Sequence, residues 1–248
     1  MSAGIGFPIS GAGSTGKRFR LAGDFYLNDH VKLMMTMKKT LTLLTILMVP
    51  LTTFAQPRKY IKSMGKALEM LQEASGAEQF VECAAAFDEI STSYEKMWMP
   101  PYYAAYSLIS ASFNEGDYSL KDEYLTRAGL SLEKVLALEP EESEVHALSA
   151  FHALGLMASD PESNGPIYLE DFNYAIEQAK ALNPDNPRPY YMEGLLKANL
   201  PEFMGGGAAA AKSTHLMAAE KFKNFKTDDP LWPSWGEALN QEQLHNMQ

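Results

Sequence analysis

Four prolines, Pro101, Pro140, Pro184 and Pro230, recur at intervals of about 40 to 46 residues, a period typical of stacked helical hairpins. Between them the apolar residues fall three or four apart. Ile61, Met64, Leu68 and Leu71 form one stripe, and Cys83, Phe87, Ile90 and Tyr94 the next. The pattern continues with Tyr102, Tyr106, Ile109 and Phe113, then Leu125, Ala128, Leu132 and Val135. Val145, Leu148 and Leu156 follow, and then Leu169, Phe172, Ile176 and Ala179. Such spacing places each set on one helix face, which must find a partner face to leave water. One hairpin cannot bury its own face, so neighbouring hairpins must stack.

Short sequences repeat with the prolines. Ala137-Leu138-Glu139-Pro140 returns as Ala181-Leu182-Asn183-Pro184, and Pro101-Tyr102-Tyr103 as Pro189-Tyr190-Tyr191. Residues 183–225 show the plan most plainly: a helix, a turn at Gly205-Gly206-Gly207, a second helix, and a stop at Pro230. Extra length falls at 114–119, 159–168 and 199–207, each time between the two helices of a unit, so the insertions should emerge on one edge. The segment 159–166, rich in Asp, Pro, Ser, Asn and Gly, reads as a loop. Trp232, Trp235, Ala238 and Leu239 read as a capping helix that seals the final hairpin. The expected fold is therefore all-α, a right-handed solenoid of about four hairpins plus a C-terminal cap. Scarce Val and Ile, with abundant Ala, Leu, Met and Glu, agree with helix over sheet.

Charge narrows the partners. Of 21 basic and 31 acidic residues, six basic and two acidic ones precede Gln56, so residues 56–248 carry 15 basic against 29 acidic groups, a net of −14. Such a body repels nucleic acid and anionic lipid. The single cysteine, Cys83, excludes an internal disulfide framework and reads as a small buried hydrophobe within its stripe.

The first 55 residues follow a different logic. Met37-Lys38-Lys39 is a basic start, 41–49 an apolar run, Pro50 a break, and Thr53-Phe54-Ala55 presents small residues ahead of Gln56. This is the layout of a cleaved secretory signal over 37–55, its apolar run being too short to span a bilayer. Export to the periplasm is expected, with no membrane insertion after cleavage. Residues 1–36 then read as an over-extended N-terminus, the true start being Met34, Met35 or Met37. They include Gly11-Ala-Gly-Ser-Thr-Gly16-Lys17, which has phosphate-loop spacing, but Arg18 stands where the magnesium-binding hydroxyl belongs and no strand–helix alternation follows.

The repeated endings, with Pro184 and the Gly194 of Tyr190-Tyr191-Met-Glu-Gly194, resemble the tetratricopeptide repeat over residues 58–245. The units are longer than usual, and the small residue of the second helix is often shifted. Met97-Trp98-Met99-Pro100, Phe203-Met-Gly-Gly-Gly207 and Trp235-Gly236 are similar to a family of exported tetratricopeptide proteins of Bacteroidetes, mostly uncharacterised. Phe203-Met-Gly-Gly-Gly207 alone resembles the periplasmic T components of tripartite solute transporters, although the lipid-attachment cysteine typical of those proteins is missing. In tetratricopeptide arrays the first helix of each unit lines the inner groove. Carried over on Gly194, that resemblance implies Arg188, Tyr191 and Asn199 as groove residues, with Tyr103 and Glu144 their counterparts upstream. The implied function is a non-enzymatic module that holds a peptide or protein segment; a solute-binding or transporter-accessory role is the alternative.

No catalytic, metal or cofactor-binding constellation is expected. His146 and His152 stand too far apart on a helix to chelate. His152 shares a face with Val145 and Leu148, as a packed and hydrogen-bonded histidine would. Glu139, Glu141, Glu142 and Glu144 straddle a helix start, where negative charge complements the dipole. Gly205-Gly206-Gly207 could expose N–H groups to an anion, or simply permit a tight turn.

Overall fold

The structure, a computed structural model, describes residues 58–247. The signal-like segment, the phosphate-loop-like motif and the proposed start methionines all lie outside the described residues. Those described are all-α, with no strand among them. The helices are α1 (Arg58–Glu73), α2 (Ala77–Ser93), α3 (Met99–Phe113), α4 (Tyr118–Leu138), α5 (Ser143–Ser159), α6 (Pro161–Leu182), α7 (Arg188–Asn199), α8 (Ala208–Asn224) and α9 (Glu237–Asn246), with a 3-10 turn at Glu202–Met204.

Every helix packs on the next in sequence, and α3 also touches α5, which in turn touches α7. These three form a central layer, and two apolar clusters are built partly from it. The first gathers Met64, Phe87, Tyr102, Leu108, Leu132 and Leu148, with Cys83 among them. The second gathers Phe172, Ile176, Met192, Leu196 and Phe222. Leu231, from beyond α8, lies in the first cluster, whose other buried members all come from Tyr60 to Leu148.

Local chemistry accounts for the helix ends. Asp117 caps α4 by accepting from the N–H groups of Ser119 and Leu120, and Glu142 caps α5 by accepting from Glu144 N–H. Pro100 and Pro101 open α3 where a missing N–H costs nothing. Segment 159–166 is not the loop its composition suggested. Asp160 alone breaks the chain and caps α6 at Ser163 N–H; Pro161 starts that helix, and Pro166 sits inside it. Asn164 Nδ2 donates to Leu156 O at 3.0 Å and to Ser159 Oγ at 3.1 Å, tying the new helix to the last turn of α5. Asp, Pro, Ser and Asn favour a helix start as much as a loop, and here they make one.

The three glycines form a turn. Gly205 and Gly207 have φ of 82° and 92°, which glycine alone adopts without cost. Their N–H groups and that of Gly206 donate to Glu202 O, Lys197 O and Pro201 O respectively. All three amides are satisfied internally, so the anion reading does not hold. At Gly194 the reason for glycine is space, since an added Cβ would lie 2.7 Å from the His215 ring.

His215 and His152 set an acid limit on stability. His152 Nε2 bonds Leu125 O at 2.9 Å, and His215 Nδ1 bonds Asn240 Oδ1 at 2.7 Å. Burial lowers both imidazole pKa values, with those hydrogen bonds opposing it. A depressed folded value means stability present above the unfolded pKa of 6.5 and lost as pH falls through the folded one. The contribution of these two histidines to the melting temperature is therefore expected to fall between pH 7 and pH 5. NMR titration of the imidazole protons should place both histidines below pH 6.5; either titrating at or above that value would refute the assignment.

Candidate functional site

Four of the residues marked by the groove resemblance meet at the centre of the molecule. Tyr103 from α3, Glu144 from α5, and Arg188 and Tyr191 from α7 are all buried. Asn199 is apart from them: it is exposed at the end of α7, where its amide donates to Leu195 O. What Tyr103, Glu144 and Arg188 face is the chain's own segment 229–236. Tyr103 Oη donates to Leu231 O at 2.9 Å. Arg188 Nη1 donates to Glu144 Oε1 at 2.7 Å, and its Nη2 donates to Pro233 O. Tyr191 instead lies against the His215 ring, with centroids 5.9 Å apart.

The Arg188–Glu144 ion pair is almost wholly sealed, with side chains 2% and 1% exposed. Burial raises the Glu144 pKa well above the ordinary carboxylate range, while the Arg188 charge pulls it back. Tyr102 Oη reaches Glu144 Oε2 at 3.5 Å and accepts the Trp235 indole N–H at 2.8 Å. The Trp232 indole N–H approaches the same carboxylate and eases its ionisation without meeting hydrogen-bond geometry. The Arg188 guanidinium also lies 5.1 Å from the Trp235 ring centroid. One buried pair thus organises a network of one tyrosine, two tryptophans and a backbone carbonyl.

Trp232 and Trp235 do not belong to the last helix, as the capping reading required. They precede α9 in an irregular segment that opens with a turn, and reach across to the central layer: Trp232 meets Trp98 edge-on, and Trp235 stacks on Tyr106 and Phe151. Leu231 N–H donates to Asp229 Oδ1 and Trp232 N–H to Asp229 O, shaping its entry.

Beyond Trp235 the rings continue toward solvent. Trp235 and Phe151 lie 24° from parallel with centroids 5.6 Å apart, and Phe151 and Phe113 lie 13° from parallel at 5.4 Å. Tyr106 tilts 36° to Phe151. The run ends at Phe113, which is 44% exposed. Sequence reasoning placed Tyr106 and Phe113 in a core stripe and overlooked Phe151. Its one signal was a large ring on a helix face it shares with two small residues, Ala147 and Gly155, one turn before and one turn after it. Burial raises the Tyr106 phenol pKa, so its hydroxyl stays protonated. Among the described residues, no group of three His, Cys, Asp or Glu side chains is placed to hold a metal ion.

Fold and site together define an all-helical protein whose centre is closed by its own C-terminal segment, with a half-open run of stacked aromatic rings beside it. No family model matches the chain, and no curated protein does. Among solved structures, its fold is similar to that of the HusA haemophore from Porphyromonas gingivalis, with a TM-score of 0.69 and 24% identity, covering 78% of this chain and 95% of that one. No described helix is long and apolar enough to cross a membrane.

Proposed function

We propose that this is an exported, non-enzymatic binding protein whose ligand is a flat, largely apolar ring system of the tetrapyrrole class. The ligand stacks on the Phe113–Phe151–Trp235 run, with Tyr106 at its side. The observation that carries this reading is the near-parallel order of three rings ending in a half-exposed phenylalanine. Offset stacking is the preferred geometry of such faces, and an unmatched ring at the end of a stack offers an aromatic ligand its next layer. The likeness to a haemophore supports the choice of ligand, and the contacts of α3 with α5 and of α5 with α7 support a tetratricopeptide-like stack. The signal-like layout of 37–55 supports export to the periplasm.

Recognition here rests on ring contact rather than on iron. No histidine belongs to the aromatic run, and a Tyr106 phenol kept neutral is a poor iron ligand. Absorbance titration of the chain from Gln56 onward is expected to show saturable binding of haem and of iron-free protoporphyrin IX within a few-fold of each other. Phe151→Ala should weaken both about tenfold, the worth of roughly 1.4 kcal/mol of stacking and burial. Ser in place of the distant, exposed Phe203 should leave both unchanged. Absence of saturable binding, or equal losses in the two variants, would refute the reading.

A second reading keeps the peptide partner. The groove residues Tyr103 and Arg188 donate to the backbone carbonyls of Leu231 and Pro233, which is how an extended peptide would be held. In this conformation that place is taken by the chain itself, so a peptide would have to displace segment 229–236.

A further inference from the structure

We propose that Arg188, Glu144 and Tyr102 are positioning residues for the ring site, acting at a distance by fixing Trp235 as its inner wall. The inference rests on the ring-binding reading above and adds how that site is assembled. None of the three side chains can touch a ligand on the aromatic run, because all are buried. Each instead holds the segment that carries Trp235. Arg188 grips Pro233 O, two residues before it; Tyr102 Oη accepts the Trp235 indole N–H at 2.8 Å; and Glu144 pairs with Arg188 and lies within reach of Tyr102.

Gly236, just after the tryptophan, has φ of 103°, and a Cβ there would meet the Phe222 ring at 2.9 Å. The chain therefore turns sharply at that point with no room for slack. A segment with no secondary structure has no helical hydrogen bonds of its own to define its path. Its position is set by these side-chain grips and by Leu231 in the core. Without them the indole loses its fixed plane, and the stack loses a ring 5.6 Å from Phe151 and 5.1 Å from Tyr106. Ring binding and docking of the C-terminal segment are thus one equilibrium.

The test combines a mutant cycle with a ligand-free probe. Tyr102→Phe removes only the hydroxyl, and the paired change E144Q/R188M removes the ion pair without leaving a lone buried charge. Each is expected to weaken protoporphyrin IX binding at least fivefold in the otherwise unaltered protein, and not measurably further in a Trp235→Ala background. In 19F NMR of the 5-fluorotryptophan-labelled protein, the Trp235 resonance, assigned with Trp235→Phe, should shift and broaden in both variants before any ligand is added. Losses that add to that of Trp235→Ala would overturn the inference, as would an unmoved Trp235 resonance in a variant with weakened binding. Wild-type protein that fails to bind protoporphyrin IX sinks the ring-binding reading and this inference with it. Wild-type binding with an additive cycle sinks this inference alone.

Discussion

Arg188→Met alone is expected to destabilise the protein by about 3–5 kcal/mol, the typical cost of leaving one member of a buried ion pair without its partner. Glu144, 1% exposed, would then face either ionisation without a countercharge or protonation. Its Tyr102 contact is long at 3.5 Å and does little to compensate. Adding Glu144→Gln should recover more than half of the loss, because a neutral amide removes the stranded charge and can still accept from Tyr102. Urea unfolding of the wild type, the single variant and the pair measures this directly. A single-variant loss below about 1 kcal/mol would show that the pair is not the hub described, since that is the range of exposed pairs. The pair also has a pH signature of opposite sign to the histidines. The raised Glu144 pKa means its contribution is fully present below the unfolded carboxyl value and lost as pH rises through the folded one. The double variant should therefore lose stability more steeply on acidification than the wild type.

Gly194→Ala is the second large effect. The added methyl would stand 2.7–2.8 Å from three atoms of the His215 ring. That ring cannot swing aside, because its Nδ1–H donates to Asn240 Oδ1 at 2.7 Å and Asn240 Nδ2 donates in return to His215 O at 3.0 Å. Overpacking at such a site costs about 1–3 kcal/mol. For a domain of this size that lowers the melting temperature by about 2–4 °C per kcal/mol. If the ring shifts, the α8–α9 contact through Asn240 loosens as well, and hydrogen exchange in α9 should rise. An unchanged melting temperature would show that α7 and α8 are not packed as tightly as the geometry requires. Gly65, with nothing within 4 Å of its added Cβ, is the matched control and should tolerate alanine.

Much of this was legible in the chain. The period of apolar residues located the helices from Arg58 onward, because only one face of each could be buried. Cys83 was read as a packed hydrophobe from its place in a stripe, and it is buried. Gly194 stands out through the tetratricopeptide resemblance, and the His215 ring lies where its side chain would be. Burial of Tyr103, Glu144, Arg188 and Tyr191 was not legible. Position on an inner helix face says nothing about what covers it, and the cover over Tyr103, Glu144 and Arg188 is a segment that meets Tyr103 from 128 residues away in sequence. Trp232 and Trp235 were misplaced for a related reason. Aromatic residues close to a helical stretch look like part of that helix, and only the path of 229–236 across α3 and α5 shows otherwise.

The sequence by itself determined local matters: which residues coil into helices, where proline and capping residues stop them, and where a side chain leaves no room. These are decided by contacts within a turn or two of helix, so their signal lies within a short window. Tertiary structure alone decided that the centre of the helical layer is closed by the chain's own tail, that Arg188 and Glu144 are sealed together there, and that Phe113, Phe151 and Trp235 line up. Those outcomes depend on the meeting of α3, α5, α7 and the tail, whose members are distant in sequence, and the free energy of that meeting is written in no single stretch of the chain.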